Sequence, residues 1–200
     1  DAVVLLSGGM DSATLLHWVA AQPDTGVMHA LSFRYGQKHG RELDMAARQA
    51  AAAGVASHHT LDASAFGMLT VSGSALTDPD VPVPDLDSLS GEQLAQPPTY
   101  VPNRNMILLS VAAAWAESHR VRRVYYGAQC QDRYGYWDCT VDFVDRMNHL
   151  LCLNRGFRVT VHAPFVTRSK AEIVRLGTTL GVDFGATWSC YRGGAAPCGT

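Results

Sequence analysis

The opening stretch DAVVLLSGGMDSATLLHWVA constrains this chain more than any other. An apolar run from Ala2 to Leu6 stops at Ser7-Gly8-Gly9, and an amphipathic pattern begins at once, which predicts strand, tight turn and helix. Glycines carry no Cβ and reach backbone angles closed to other residues, so a polyanion can come close to the main chain there. Amides at the start of the helix would then face it, and the helix dipole favours negative charge. Ser7 and Ser12 add hydroxyls. Asp11 would repel a bare phosphate, but makes sense if a divalent cation bridges it to the phosphates. Strands ending in two glycines before a helix are also common in α/β proteins that bind nothing there, so the turn alone leaves both readings open.

The same period repeats downstream. Val27–Phe33 reads as a second strand, and the Leu43, Ala46, Ala47 and Ala50 spacing as a helix ended by Gly54. Ser57–Leu61 is a weaker third strand, on which His58 and His59 point to opposite faces and do not share a metal. From Asp62 to Pro102, Pro79, Pro82, Pro84, Pro97 and Pro98 break every periodic pattern, which predicts a long loop that covers the site or moves. Asn103 is placed to cap a helix with Ile107, Leu108, Val111, Ala112 and Trp115 on its buried side. Val121–Ala128 and Phe157–His162 read as the fourth and fifth strands, Thr140–Asn154 and Lys170–Leu180 as helices, the last closed at Gly181. This alternation predicts an α/β domain over residues 1–185, a five-stranded parallel sheet with helices on both faces, with 62–102 as a lid and 186–200 as a separate tail.

The composition narrows the function classes. A 200-residue chain, 47% hydrophobic, builds a sizeable single core, and a net charge of −2 lacks the basic footprint of a protein that grips nucleic acid. No apolar run approaches the ~18 residues of a membrane span, and AVVLL is too short for a signal peptide. The expectation is a cytoplasmic protein acting on a small molecule. Five cysteines, at 130, 139, 152, 190 and 198, form no disulfide framework. Cys190 and Cys198 flank a glycine-rich turn; they are either unrelated reduced thiols or half of a tetrahedral zinc site. The chain starts on a strand without an initiator Met and stops at Thr200, which reads as a fragment of something longer.

In open α/β sheets ligands bind beyond the carboxyl ends of the strands, where the glycine turn, the Asp132 loop and the Pro164–Lys170 segment should meet. Arg104, at a helix start where a cation opposes the dipole, is either exposed or partnered by phosphate. Lys170 either reaches a phosphate or is solvated. The loop QCQDRYGYWDC, with Asp132 and Asp138 among aromatics, suits a pocket for a flat polar heterocycle or an ordinary surface cluster.

SGGMDS fits SGGxDS, the PP-loop signature of enzymes that split ATP between its α and β phosphates, and no GK[ST] of a Walker motif follows. With FRYGQKHGREL, SALT at Ser74–Thr77, YVPNRNMILLSVAAA, YYGAQCQDRYGYWDC, SKAEIVRLG and TWSCYRGGAAPCG, in that order, nearly the whole chain resembles the QueC family, the 7-cyano-7-deazaguanine synthases of queuosine and deazapurine biosynthesis. The resemblance implies a PP-loop, Rossmann-like fold of the HUP type with a small zinc-binding tail. It implies ATP bound at Leu6, Ser7, Gly8, Gly9, Met10, Asp11 and Ser12, and Mg²⁺ positioned by Asp11. Arg104 and Lys170 would offset charge developing in the transition state, and Tyr35, Gln37, His39, Asp132, Tyr136 and Asp138 are the substrate-binding candidates. Zn²⁺ would be held by Cys190 and Cys198 with two further cysteines beyond Thr200. The implied reaction turns 7-carboxy-7-deazaguanine and ammonia into the nitrile, in a homodimer, with no cysteine acting as nucleophile. The family loop reads close to DYSGYPDCR and VPGRN, so Arg133, Tyr134, Trp137, Thr140 and Asn103 depart from it. Those departures raise an alternative: QueC-like proteins of bacterial antiviral operons, which use the same adenylation with a deazapurine and a protein partner. A tRNA-modifying PP-loop enzyme would need a basic surface or a catalytic cysteine pair by the loop, and neither is visible. A nucleotide-binding regulatory module would lack the polar pocket and the tail.

Overall fold

Five parallel strands make one sheet in the order β3-β2-β1-β4-β5: β1 (Ala2–Leu5), β2 (Met28–Arg34), β3 (Ser57–Asp62), β4 (Arg123–Tyr125) and β5 (Thr160–His162). The computed structural model describes residues 1–37, 40–70, 74–78, 80–84, 89–132 and 135–190, the side chains of 94 and 95 aside. Strand β1 lies in the middle, with Val3 paired to His29 on one side and to Val124 on the other. Its Ala2, Val3 and Val4 are wholly buried, because a central parallel strand is covered on both faces.

Alternation along the strands feeds two cores. Val3, Leu31, Val124 and Val161 meet Leu109, Ala112 and Ala116 of α5 (Arg104–Ser118) and Phe143 and Met147 of α6 (Val141–Leu151). On the opposite face Val4, Ala30 and Tyr125 meet Leu15, Leu16 and Val19 of α1 (Met10–Ala20), Ala46 and Ala50 of α2 (Arg41–Ala52) and Ile173 of α7 (Lys170–Thr179). Each fully buried Leu or Ile contributes about 1.5–3 kcal/mol by leaving water. Helix α7 begins at a capping box in which Ser169 and Glu172 satisfy each other's amides, so Lys170 has a firmly defined position.

Several expectations need correction in detail. Helix α5 buries Leu108, Leu109, Ala112, Ala113 and Ala116, while Val111 is exposed; the buried stripe is turned toward the next residue along. An almost uniformly apolar helix carries little periodic signal to fix its orientation. Asn103 precedes α5 but does not cap it with its side chain; its backbone is left-handed, φ 56°. The resembled family has glycine here, and asparagine is among the few side chains that tolerate this region. The fourth and fifth strands are shorter than the apolar runs suggested. Among its described residues the proline-rich stretch forms two short helices, α3 (Ser64–Thr70) and α4 (Gly91–Ala95). Ser74, Ala75, Leu76 and Thr77 are buried, with the Ala75 amide donating to the Pro98 carbonyl, so this part of the stretch is packed rather than loose. His58 and His59 do lie on opposite faces: the His58 ring meets the Ser32 hydroxyl, and His59 lies 5.9 Å from the Trp115 ring.

Candidate active site

A cavity of about 360 Å³ opens beyond the carboxyl ends of β1 and β4, where the strand order reverses. Its walls include Ser7, Gly9, Asp11 and Ser12 from the glycine turn, Tyr35, Gln37 and Glu42 after β2, Arg104 and Asn105 from α5, Gln129 and Asp132 after β4, Lys170, and Ser189.

The glycine turn is shaped by close packing. Gly8 has φ +88°, and a Cβ there would fall 1.9 Å from the Glu42 carbonyl oxygen, so the first turn of α2 rests directly on it. Gly127 likewise brings the end of β4 against the α1 backbone, where a Cβ would lie 3.4 Å from the Ser12 nitrogen. Three hydroxyls attend the turn. Ser12 Oγ accepts from the Ser7 amide at 3.2 Å and donates to the Gly9 carbonyl at 3.0 Å; Ser7 Oγ accepts from the Gly9 amide and lies 3.0 Å from Ser12 Oγ. Ser189 Oγ accepts from the Met10 amide at 3.0 Å. With the Ser12 proton on Gly9, that of Ser7 points to Ser12, and of these three hydroxyls Ser189 is the one that keeps a proton for an incoming anion. Leu6 is buried as the last apolar residue before the turn.

Asp11 and Lys170 are brought together from the first and last helices, with Lys170 Nζ 2.6 Å from Asp11 Oδ2. The other carboxylate oxygen, Oδ1, is buried with no hydrogen-bond partner among the described residues. A buried lone-pair donor left over beside a phosphate-type turn fits a hard divalent cation, so the chain's residues are compatible with Mg²⁺. Asp132 sits beside this pair and accepts a bond from Gln129 Nε2 at 2.9 Å; burial, reinforced by the Asp11 charge, raises its pKa above the usual carboxylate range.

Arg104 at the start of α5 reaches the Tyr35 hydroxyl at 3.4 Å and lies 5.9 Å over that ring. Its unfavourable place against the helix dipole is offset by Asp138, whose Oδ2 accepts from the Asn105 amide at 3.1 Å. Asp138 is thus buried behind the wall, with its pKa raised by that burial, and Tyr136 is tied to Thr99 at 2.6 Å; neither lines the cavity. Of the two loop carboxylates suggested by the sequence, only Asp132 reaches it. Gln37 lines the cavity, but both ends of its amide bond the backbone of its own turn, at Tyr35 and Phe33. His39 and Cys198 lie outside the described residues, as do Arg133 and Tyr134. Cys139 borders the cavity with its thiol pKa pushed far up by burial, which suits a packing role.

Among the described residues of 62–102 none lines the cavity, although Gly67 packs on the Tyr35 carbonyl, where a Cβ would fall 1.9 Å away. The residues that motif reasoning passed over are Glu42, Gln129 and Ser189. Glu42 stood inside a quoted motif, and an acidic residue in a helix first turn reads as a dipole partner. Ser189 is 179 residues from the amide it caps, and no local pattern signals such a contact.

Among the described residues no cluster of three or more His, Cys, Asp or Glu is arranged to hold a metal; Cys190 is buried, and the Trp188 indole donates to its carbonyl. No helix among them is long and apolar enough to cross a membrane.

The profile of the family "Queuosine biosynthesis protein QueC" matches residues 1–200. A 7-cyano-7-deazaguanine synthase from Trichodesmium erythraeum is 42% identical over 99% of this chain and 89% of its own. Another from Xanthomonas euvesicatoria pv. vesicatoria is 47% identical over 97% of this chain and 84% of its own. Among solved structures, an NMN synthetase from Francisella tularensis superposes with a TM-score of 0.53 at 17% identity, over 94% of this chain and 65% of that one, a likeness of fold alone.

Proposed function

This chain belongs to the QueC family of queuosine biosynthesis proteins, and from that premise we propose that it converts 7-carboxy-7-deazaguanine and ammonia into 7-cyano-7-deazaguanine at the expense of ATP. The observation that carries the reading is the meeting of the SGGMDS turn, the Asp11–Lys170 pair, Arg104 and Asp132 on one cavity at the strand carboxyl ends.

The chemistry accounts for that set of groups. A carboxylate oxygen is a poor leaving group. Attack of the substrate carboxylate on the α-phosphorus of ATP forms an O–P bond and releases pyrophosphate, leaving an acyl adenylate. Ammonia then forms the C–N bond as the C–O bond to AMP breaks, giving the amide. Adenylation of the amide oxygen by a second ATP, followed by loss of AMP and of the remaining N–H protons, gives the nitrile. Ser7, Gly8, Gly9 and Ser12 shape the pyrophosphate seat, with Leu6 and Met10 flanking it, and the Ser189 hydroxyl faces it. Lys170 and Arg104 are the cations that offset charge as the pentavalent phosphorus develops. Asp11 would hold Mg²⁺, which when bound would neutralise charge on the leaving pyrophosphate. Tyr35 and Asp132 border the side where the heterocycle would stack and donate its ring N–H bonds.

Trp137 and Thr140, two of the departures that raised a protein acceptor, face away from the cavity: the Trp137 indole donates to the Tyr100 hydroxyl at 2.7 Å, and Thr140 caps α6. The small-molecule acceptor is therefore the reading we keep, with a homodimer and a Cys190–Cys198 zinc tail as its further parts. Zinc content and sedimentation of the purified protein check those two.

The decisive measurement is release of AMP and pyrophosphate with and without 7-carboxy-7-deazaguanine, with the nitrile followed by mass spectrometry. Acid-dependent ATP cleavage with nitrile formation is the expected result. Cleavage that ignores the acid would overturn the reading.

A further inference from the structure

Three carboxylates line the cavity among the described residues, and two are engaged. Asp11 is paired with Lys170, and Asp132 accepts from Gln129. The third, Glu42, has no hydrogen bond or ion pair with any described residue, although its backbone carbonyl abuts Gly8 at the heart of the glycine turn. A half-buried acid on the wall of a reaction cavity, with no hydrogen bond or ion pair to any described residue, makes no such contact that would hold the fold together.

The proposed reaction needs something the other wall residues do not supply. At neutral pH ammonia is present almost wholly as ammonium, whose nitrogen has no lone pair to attack with. The other charged groups lining the cavity among the described residues are Lys170 and Arg104, which repel a cation, Asp11, which is paired with Lys170, and Asp132, which accepts from Gln129 on the heterocycle side. We propose that Glu42 is the residue that binds ammonium and takes its proton, an inference that rests on the amidation reading above. Its carboxylate attracts the ion and accepts one proton, leaving ammonia and a neutral carboxylic acid. The ammonia lone pair then forms the C–N bond, the C–O bond to AMP breaks with its electrons going to the phosphate oxygen, and that oxygen takes the proton shed by the nitrogen. Glu42 returns its proton to solvent through the open mouth of the cavity.

The electrostatics agree with this role. Burial raises the Glu42 pKa to about 7, with Arg104 across the cavity pulling it the other way. The other titratable groups that line the cavity among the described residues are Arg104 from α5, Asp11 from α1, Tyr126, Asp132 and Cys139 after β4, Lys170 of α7 and the Tyr35 phenol, and of these it is the Arg104 charge that acts on Glu42. A proton acceptor works best with a pKa near the working pH.

The test separates the two half-steps in Glu42→Gln. Acid-dependent pyrophosphate release in the first turnover is expected within about twofold of wild type, while amide formation from ammonium falls by about 10²- to 10⁴-fold, the range of general base catalysis. Hydroxylamine, mostly neutral at pH 7, needs no deprotonation, so its capture of the acyl adenylate as hydroxamate should be near wild type. Glu42→Asp should restore part of the ammonium reaction and keep its dependence on pH. Equal loss of pyrophosphate release and hydroxamate formation in both variants would assign Glu42 a structural role and overturn the proposal. Unchanged ammonium kinetics in Glu42→Gln would overturn it too. If wild-type enzyme releases no pyrophosphate with the acid, the underlying reading falls, and that result is distinct from either.

Discussion

At the scale of single residues, the same burial that tunes Glu42 also costs stability. Its pKa rises from 4.5 to about 7 on folding, so the native state binds the proton more tightly than the unfolded chain. The associated stability is fully present below pH 4.5 and is lost as pH rises through about 7. Glu42→Gln removes the titration; relative to wild type, it should gain about 1–3 kcal/mol between pH 5 and pH 8, read from denaturant midpoints at both values. A gain that does not grow with pH would show that the carboxyl is not desolvated. Asn103 illustrates a residue whose role comes from its backbone. It takes a left-handed conformation that costs most side chains about 1–2 kcal/mol, and its side chain makes no capping bond.

At the scale of elements, the site depends on segments that converge from both ends of the chain. The Trp188 amide donates to the Gly8 carbonyl at 2.9 Å, Arg41 lies 5.1 Å over the Trp188 ring, and Gln49 of α2 holds the carbonyls of Asp183 and Ala186. This strap presents Ser189 to the first amide of α1. Ser189→Ala removes one hydrogen bond at a turn that has to receive a phosphate group. The expected outcome is a loss of about 0.5–1.5 kcal/mol in stability and a several-fold higher KM for ATP, with KM for the acid unchanged in steady-state assays. A change in both KM values would point instead to collapse of the strap. Helix α5 shows a different dependence: its start carries Arg104, and Asp138 from a separate loop supplies the negative charge that the helix end favours.

At the scale of the whole molecule, binding that bridges α1, α5 and α7 should stabilise all of them together. A non-hydrolysable ATP analogue with Mg²⁺ at about 100 times its Kd should add about 2.7 kcal/mol, a rise of about 5–10 °C in Tm by differential scanning fluorimetry. Chelation of Mg²⁺ with EDTA, or Asp11→Asn, should remove most of that rise if Asp11 Oδ1 is the oxygen awaiting the ion. An identical shift with and without Mg²⁺ would exclude that role.

How far the sequence reached follows from the range over which each property is decided. The strand and helix order, the position of the phosphate-type turn at Ser7–Ser12 and the α7 start at Lys170 are local; periodicity and glycines spell them out within a few positions. The motifs also brought Asp11, Arg104, Lys170 and Asp132 into consideration, and the fold gathers all four on one cavity. Which carboxylates face that cavity was decided only by packing: Asp138 turns inward to α5, Gln37 is taken by its own turn, and Glu42 and Ser189 arrive from elements far apart in the chain. The chain alone determines what each segment forms because those choices are short-range. The strand order β3-β2-β1-β4-β5 and the close approach at Gly8 determine what the segments do together, because only there do distant backbones come within bonding distance.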